Sequence, residues 1–333
     1  MTRPASKDGA RSGTKRIFGP VPSRGLGPSR GGDVIPHKTC TFDCVYCECG
    51  ATTNKTCRRE EFFDAREVLD EIERWLSSAV ERPDVITLSG SGEPTLYRGM
   101  GTLIEGAKRI TGLPFAVITN SSLLWMDEVR EELARADIVL PSLDAAIEED
   151  YRRINRPHEE CTLDRLVGGL EAFLASYRGT VLLEILLVDG YNADEANLEA
   201  MRGILGRVRA DRVQLNTAVR PGTEKGVEPL DGASLERIRR SFGPRCEVIV
   251  PASAARRDRE ERALEEAILA LLSRRPCTAL DIERSLGASG ERLEAILADL
   301  AGRGLVSAET HAGGVYFTAR PGDGTRRNRN EAS

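Results

Sequence analysis

The sequence is poor in histidine and cysteine, and it has no long uninterrupted apolar run. Three histidines, His37, His158 and His311, are scattered over 333 residues, so a histidine-based metal site is not expected. Eight cysteines in that length are too few for a disulfide scaffold. The richest apolar run, residues 181–188, is interrupted by Glu184 and falls well short of the roughly 18 residues of a membrane span. We therefore expect no membrane partner.

What the sequence does contain is the composition of a globular protein, with 40% hydrophobic and 30% charged residues. The formal net charge is −5, but the first 60 residues carry eleven Lys and Arg against five Asp and Glu. A basic N-terminal region would suit an anionic substrate or partner. Residues 1–17 have the composition of a disordered basic arm, and they contain no apolar segment typical of a secretory signal. We expect a cytoplasmic protein.

Short β-rich runs alternate with amphipathic stretches along most of the chain. The predicted strands are 33–37, 85–89, 115–119, 137–140, 181–188 and 212–215, with a last candidate at 247–250. Alternation of this kind predicts parallel strands joined by helical crossovers. Over residues 18–253 it predicts an α/β fold, either a partial (β/α)6 TIM-like barrel or an open doubly wound sheet. Both architectures bind ligands at the carboxyl ends of their strands.

The character of the sequence changes after residue 253. A charge run at 254–262 precedes three predicted helices and a hairpin-like segment over 305–318. This order predicts a small winged-helix-like domain over 254–319, followed by a polar, disordered tail at 320–333. Acidic residues outnumber basic ones in the third helix, so DNA is not an expected partner. A role in docking a substrate or a protein fits this domain better.

Four of the eight cysteines, Cys40, Cys44, Cys47 and Cys49, lie within ten residues. Thiols packed this closely usually hold a metal or take part in redox chemistry. A [4Fe–4S] cluster normally takes four thiolates, so three from one tight loop would leave one iron open to a substrate or cofactor. A structural zinc site completed by Cys49 or Cys57 is an alternative. A dithiol redox motif is another, although it would leave Cys40 unexplained.

The sequence around these cysteines resembles the signature of the radical S-adenosylmethionine (SAM) superfamily. In TCTFDCVYC an aromatic residue, Tyr46, stands directly before the third cysteine. Further segments resemble one subgroup, the Fe–S oxidoreductases related to the wyosine-base synthases that act on tRNA. These segments are GPVPSRGLGPSRG, CGATTNKT, TLSGSGEPTL, ITNSSLL, LPSLDA, INRPH and QLNTAVRP. Their ordered succession covers residues 18–221, nearly the whole predicted catalytic domain.

The resemblance implies two cofactors, a [4Fe–4S] cluster held by Cys40, Cys44 and Cys47 and a SAM molecule bound at its open iron. In this superfamily the reduced cluster cleaves SAM to methionine and a 5′-deoxyadenosyl radical, which takes a hydrogen atom from the substrate. A reductant such as flavodoxin or ferredoxin is the implied partner. Cys49 and Cys57 are not required by the family loop, and packing is the expected role of both.

The resemblance also implies which residues contact SAM, most of them just past predicted strand ends. Gly90, Ser91, Gly92 and Glu93 stand where the family has Gly-Gly-Glu-Pro, with Ser91 in place of the first glycine. The ribose and adenine contacts would come from Asn120, Ser142, Asp144, Gln214 and Asn216, with Tyr46 beside them. A plain strand-ending turn is the alternative role of the first group. A helix N-cap is the alternative role of Asp144.

Basic residues near the same predicted rim could clamp the phosphate or carboxylate of an anionic substrate. They are Arg24, Arg30, Arg152, Arg153, Arg156, His158 and Arg220, and their alternative role is that of ordinary surface residues. The wyosine relationship suggests an RNA base as substrate. Those synthases are known for a second cluster, however, and the remaining cysteines here form no clear second ligand set.

The alternative function is an iron–sulfur sensor or regulator with a winged-helix output. The SGSGEP segment at 89–94 argues against it, because a sensor has no need to bind the methionine end of a cofactor.

Overall fold

The computed structural model describes residues 16–23, 26–78, 82–249, 264–265, 267–273, 275–286, 290–311 and 314–320. The chain divides into two compact units, Met1–Pro251 and Ala252–Ser333. Most of the predicted basic arm, the charge run at 254–262 and the tail from 321 lie outside the described residues.

The first unit is built from strands and helices that alternate along the chain. Its strands are β1 (Ile17–Ser23), β2 (Gly27–Gly32), β3 (Thr39–Cys40), β4 (Asn54–Lys55), β5 (Val85–Leu88), β6 (Phe115–Thr119), β7 (Ile138–Pro141), β8 (Thr180–Leu187), β9 (Arg212–Thr217) and β10 (Cys246–Val248). Its helices are α1 (Ala65–Ser78), α2 (Met100–Thr111), α3 (Asp127–Leu133), α4 (Glu148–Asn155), α5 (Leu163–Ser176), α6 (Glu195–Leu205) and α7 (Gly232–Phe242).

Eight of these strands form one sheet in the order β1-β2-β5-β6-β7-β8-β9-β10. The β1/β2 pair is antiparallel, and the strands from β2 to β10 pair in parallel. The short strands β3 and β4 pair with each other outside this sheet. The predicted α/β class with a parallel sheet is confirmed, and the carboxyl ends of β2 and β5–β10 share one edge.

The predicted first strand, 33–37, is wrong. Parallel pairing with β5 ends at Gly32, and residues 33–37 are irregular. Two local causes are visible: Asp33 turns its carboxylate back onto the Ile35 N–H, and Pro36 has no N–H to donate. The strand lies earlier, in the glycine- and proline-rich segment, where the ring of Phe18 covers its cross-strand partner Gly31.

Apolar side chains of the central strands form the middle of the core. Val117, Val139, Leu183 and Leu215 come from four neighbouring strands and are fully buried. Most of the strands that carry them are near-continuous apolar runs, which are typical of parallel strands covered on both faces. Each such side chain stabilises the fold by about 2 kcal/mol through the hydrophobic effect. The core therefore holds the sheet edge rigid beneath the loops that follow each strand.

The second unit contains β11 (Cys277–Thr278), α8 (Ala279–Leu286), α9 (Gly290–Gly302), β12 (Val306–His311) and β13 (Gly314–Ala319). Its three strands form an antiparallel sheet in the order β11-β13-β12. Ile268, Ile282, Leu297 and Leu300 belong to an apolar cluster confined to this unit. In the parts of both units that the structure describes, no helix combines the length and the apolarity needed to cross a bilayer.

Candidate functional site

The cysteine loop, residues 40–49, begins at the end of β3. Its backbone is hydrogen-bonded to the C-terminal end of α4. The N–H groups of Asp43 and Val45 donate to the carbonyls of Asn155 and Ile154, each at 3.0 Å. The helix ends there because Arg156 adopts a left-handed conformation, with φ of 45°, and a proline follows. The loop position is therefore fixed by main-chain bonds that do not depend on a bound metal.

The same loop contacts the residues that follow β5 and β6. Lys38 donates its N–H to the carbonyl of Ser91 at 3.0 Å, and the N–H of Glu93 donates to the carbonyl of Thr39 at 3.2 Å. After β6, Asn120 donates its side-chain N–H to Thr41 Oγ1 at 2.8 Å. The structure thus brings together three features that lie 27 to 79 residues apart in the sequence.

Each sulfur of Cys40, Cys44 and Cys47 has a side-chain N–H donor, and two of the three donors come from distant parts of the chain. Lys38 Nζ lies 3.1 Å from the Sγ of Cys47. Asn155 Nδ2 lies 3.4 Å from the Sγ of Cys44, and Asn120 Nδ2 lies 3.7 Å from the Sγ of Cys40. Donors around three sulfurs suit thiolates, because a thiolate accepts hydrogen bonds and carries negative charge. The sequence interpretation missed Lys38 and Asn155, although Asn155 lies within INRPH.

The three thiols differ in their electrostatic surroundings. Burial raises the pKa of Cys40 to about 11 and raises that of Cys44 well above the usual value. Hydrogen bonds from the Cys49 thiol and the Lys38 ammonium lower the pKa of Cys47. Cys47 is thus the thiol of the loop that deprotonates first, and Lys38 is the cation that stabilises its thiolate.

Glu93 is buried and joins the ends of β5 and β6. Its carboxylate accepts hydrogen bonds from the N–H and hydroxyl of Thr95, from the hydroxyl of Thr119 at 2.7 Å, and from the N–H of Asn120 at 2.8 Å. Desolvation nevertheless raises the pKa of this carboxyl group. Four internal donors show that Glu93 has a structural role at the strand ends, whatever else it contacts.

Two glycines of the turn after β5 lie where a larger residue would collide with its neighbours. A Cβ on Gly92 would lie 2.0 Å from the carbonyl oxygen of Thr39, and one on Gly90 would lie 2.2 Å from a carboxylate oxygen of Asp33. Asp33 in turn accepts hydrogen bonds from the N–H and hydroxyl of Ser91. Small residues are required here because the turn packs directly against the chain entering the cysteine loop.

Asp144 follows β7 and is buried. Its carboxylate accepts hydrogen bonds from the Tyr46 hydroxyl, from Asn155 Nδ2 at 2.8 Å and from the Leu186 N–H at 3.0 Å. It is not a helix N-cap, since α4 begins only at Glu148. The Asp144 carboxylate therefore links Tyr46 of the cysteine loop to Asn155, whose amide donates to the sulfur of Cys44.

Replacing Asp144 by alanine is expected to lower the free energy of unfolding by about 3 kcal/mol, because buried donors on Tyr46 and Asn155 would lose their acceptor. Urea denaturation of the purified variant measures this directly. Asp164→Ala, on the exposed first turn of α5, is the matched control and should change stability by no more than about 0.5 kcal/mol. Equal effects of the two substitutions would contradict the linking role.

The remaining predicted contacts lie at the ends of β7 and β9. Ser142 forms a bridge with Glu184 of β8, and Asn216 donates its side-chain N–H to the carboxylate of Glu184 at 3.0 Å. Gln214 instead donates to Glu247 on β10 at 3.2 Å. Ser142 thus pairs with the backbone of Glu184 and Asn216 with its carboxylate, whereas the side chain of Gln214 is hydrogen-bonded at the next strand.

The predicted basic residues are divided among several places. Lys55, Arg152, Arg156 and His158 contribute to the lining of a cavity of about 310 Å³. Arg152 pairs with Glu148, Arg156 with Glu224, Arg153 with Asp150, and Arg220 with Glu48, while Arg30 stacks over the ring of Trp75. Arg24 lies outside the described residues. Carboxylates therefore offset much of the charge that the sequence places at this rim.

The eight cysteines are free of disulfide bonds. Among the residues that the structure describes, no three His, Cys, Asp or Glu side chains converge closely enough to hold a single metal ion. The donor set at the loop is instead three thiols with N–H donors around them, and a cluster held through several irons matches that chemistry.

Comparison with known proteins agrees with this chemistry. The family model of the radical SAM superfamily matches residues 34–200. A UPF0026 protein of Helicobacter pylori strain J99 is 31% identical over 79% of this chain and 85% of its own length. A protein of Brachyspira hyodysenteriae named GTPase Obg is 36% identical over 89% of this chain but only 44% of its own length. The UPF0026 protein of Methanocaldococcus jannaschii is 37% identical over 64% of this chain and 66% of its own.

The chain spans 44% of the length of the Brachyspira hyodysenteriae protein and 66% of that of the Methanocaldococcus jannaschii protein, less than two thirds of either. Among solved structures, a radical SAM methyltransferase from Sphaerobacter thermophilus aligns with a TM-score of 0.48 at 18% identity, over 66% of each chain. The family match includes the cysteine loop, the turn after β5 and the residues following β6 and β7. The chain belongs to the radical SAM superfamily, whose cofactors are a [4Fe–4S] cluster and SAM.

Proposed function

We propose that this protein is a radical SAM enzyme that cleaves SAM reductively and uses the resulting radical to take a hydrogen atom from a substrate. The observation that carries the proposal is the arrangement around the cysteine loop. Three thiols with N–H donors lie directly against the glycine-containing turn after β5. This juxtaposition supports a cluster and a second ligand bound side by side.

Cys40, Cys44 and Cys47 would hold the cluster through three of its irons. When both cofactors are bound, they supply the one-electron cleavage of the SAM sulfonium and the 5′-deoxyadenosyl radical. The chain's own contribution is to fix the three sulfurs by anchoring the loop backbone to α4 and to stabilise their negative charge. Lys38 contributes a full positive charge at Cys47.

The segment Gly90, Ser91, Gly92 and Glu93 would receive the amino group of SAM. Its backbone passes close to the entry of the cysteine loop, since Ser91 and Glu93 are hydrogen-bonded to Lys38 and Thr39. Backbone carbonyls of such a turn are suitable acceptors for an ammonium group. Glu93 would act mainly by holding the turn against β6, because its oxygens already accept four hydrogen bonds.

The nucleoside end of SAM would lie along the ends of β6 to β9. Asn120, Ser142 and Asn216 carry amides and a hydroxyl able to bond ribose or adenine, and Tyr46 reaches the end of β7 through its hydrogen bond to Asp144. Asp144 would position Tyr46 and Asn155, with which it is already hydrogen-bonded. These assignments extend the sequence prediction, with Asp144 given a positioning role.

Replacing Lys38 by methionine is expected to lower the reduction potential of the cluster by on the order of 50 mV. The Lys38 ammonium stabilises the reduced cluster, which is more negative than the oxidised one. The potential of a one-electron couple moves by 59 mV for each tenfold change in the equilibrium constant. Redox titration followed by electron paramagnetic resonance (EPR) measures the shift. Lys55→Met is the control, because Lys55 donates to the carbonyl of Arg156 and not to a sulfur. An unchanged potential in K38M would contradict the assignment.

An RNA base is the proposed substrate class, and a flavodoxin or ferredoxin is the proposed reductant. The support for an anionic substrate is the cavity next to the C-terminal end of α4, where Lys55, Arg152, Arg156 and His158 outnumber the two lining carboxylates, Glu148 and Glu159. The protein should then bind tRNA transcripts with an affinity that falls steeply with salt, as phosphate contacts require. Equal affinity at 50 and about 300 mM salt, or no binding, would exclude nucleic acid and leave a smaller anionic substrate.

We further propose that the first unit is a partial barrel and that the second is a winged helix. The open sheet with seven parallel strands supports the former. The succession β11-α8-α9-β12-β13 with an antiparallel sheet supports the latter.

The enzyme proposal is tested by adding SAM to the reconstituted, dithionite-reduced protein under anaerobic conditions. SAM bound at the open iron should change the EPR signal of the reduced cluster. An identical signal with and without SAM would favour the alternative, a cluster-bearing sensor.

A further inference from the structure

Two cysteines outside the ligand loop form a close pair in the first unit. The Sγ atoms of Cys57 and Cys161 lie 2.9 Å apart, although the residues are 104 positions apart in the chain. Both residues are buried, at 5% and 1% exposure. The sulfurs are about 0.9 Å further apart than in a disulfide, whose bond is about 2.0 Å long. Only a small movement separates this thiol pair from a covalent bond.

The pair lies between two segments that hold the start of the cysteine loop. Cys57 follows Thr56, whose N–H donates to the carbonyl of Cys40 at 3.0 Å. On the other side, the N–H of Cys161 donates to the carbonyl of His158, and the N–H of His158 donates to the carbonyl of Thr41 at 2.8 Å. A bond between the sulfurs would therefore connect both backbone supports of residues 40 and 41.

A cavity borders this buried pair. Cys161 contributes to the lining of the 310 Å³ cavity that also borders Arg156 and His158. The hydrogen bond from the Cys161 thiol lowers the pKa of Cys57, which favours the reactive thiolate in the pair. By contrast, Cys246 is also buried but is not paired with another thiol in the described part of the chain.

We propose that Cys57 and Cys161 are a redox-active pair that low-molecular-weight disulfides oxidise to a protein disulfide. One thiolate attacks a sulfur of the reagent, forming a mixed disulfide and expelling the first reagent thiol. The second protein thiolate then attacks the protein sulfur of that mixed disulfide and expels the second reagent thiol. The two protein thiols lose two electrons to the reagent, and their protons end on the two released thiols. The new bond ties the segment after β4 to the turn before α5.

The test uses the full-length, anaerobically reconstituted protein treated with hydroxyethyl disulfide and then with N-ethylmaleimide. Tryptic digestion without reductant should yield one linked species that joins residues 56–58 to residues 154–165. Its amount should fall to background in Cys57→Ser and Cys161→Ser, and it should remain in the control Cys246→Ser. The melting temperature of the oxidised wild type should rise by about 5 °C and return after dithiothreitol treatment.

Complete alkylation of both cysteines after oxidant treatment would overturn the proposal, as would linkage of Cys57 to any residue other than Cys161. Peptide mapping of the wild type decides this even where a serine variant folds poorly. The result is also independent of the enzyme proposal, since it is read from a covalent bond and requires no SAM cleavage.

Discussion

Cys44→Ser is expected to lose the iron–sulfur cluster and, with it, the ability to cleave SAM. Serine keeps the size of the side chain but replaces a soft thiolate by a hydroxyl, which is a poor ligand for cluster iron. After anaerobic reconstitution, iron content should fall from about four atoms per chain to near zero. The brown colour of the preparation should disappear in parallel.

Cys44 is the most informative of the three proposed ligands to replace, because buried polar residues already form hydrogen bonds around its sulfur. The Asn155 amide donates to its sulfur, and Asp144 holds that amide from the other side. Burial raises the pKa of the Cys44 thiol, so without metal it stays protonated, and iron binding must displace the proton. The backbone anchors of the loop remain in the variant, so loss of iron will not require unfolding of the loop.

Cys49→Ser is the matched control, since Cys49 lies in the same loop but is exposed and outside the proposed ligand set. This variant should keep its iron and its colour. Retention of iron in Cys44→Ser together with its loss in Cys49→Ser would refute the ligand assignment. Such a result would favour a site built on Cys47 and Cys49 instead.

After Cys44→Ser, Gly92→Ala should have the largest effect on stability and SAM binding, although it removes no cluster ligand. The added Cβ would lie 2.0 Å from the carbonyl oxygen of Thr39 and 2.5 Å from a methyl of Ile35, so the backbone on one side must move. Overpacking of this kind costs about 1–3 kcal/mol. The displaced segment leads directly to Cys40, and we therefore expect both a lower melting temperature and weaker SAM binding.

Gly168→Ala provides the control for this substitution. Gly168 lies within α5, and a Cβ there would meet no other atom within 4 Å. Alanine is the better helix former by about 1 kcal/mol, so this variant should be as stable as the wild type or more stable. Differential scanning calorimetry and SAM titration of the two variants measure the contrast. A Gly92→Ala protein with wild-type stability and SAM affinity would show that the turn does not pack as described.

The parallel sheet could be predicted because the sequence expresses it locally, and the candidate site follows from the same local patterns. Short apolar runs identify the strands, and polar residues after those runs must share one edge of a parallel sheet. The cysteine spacing is equally local. The first strand could not be found in this way, since Gly27–Gly32 contains no apolar residue and gains its place by pairing with β1 and β5.

Two of the donors to the cysteine sulfurs could not be predicted from local sequence patterns, for a different reason. Lys38 and Asn155 are polar residues of ordinary type, and nothing in their spacing relates them to a thiol. Asn155 is 111 residues from Cys44 and reaches it only because α4 ends beside the loop. The Cys57–Cys161 contact has the same origin. Tertiary packing, which sequence spacing does not encode, decides these contacts.

The most direct test of the central claim is the formation of 5′-deoxyadenosine from SAM by the reconstituted protein. Under anaerobic conditions with dithionite, we expect the wild type and Cys49→Ser to produce 5′-deoxyadenosine and methionine in equal amounts. Cys44→Ser should give only the background of a reaction without protein. If the iron-loaded wild type yields no more 5′-deoxyadenosine than Cys44→Ser, this protein does not cleave SAM and the proposed function is wrong.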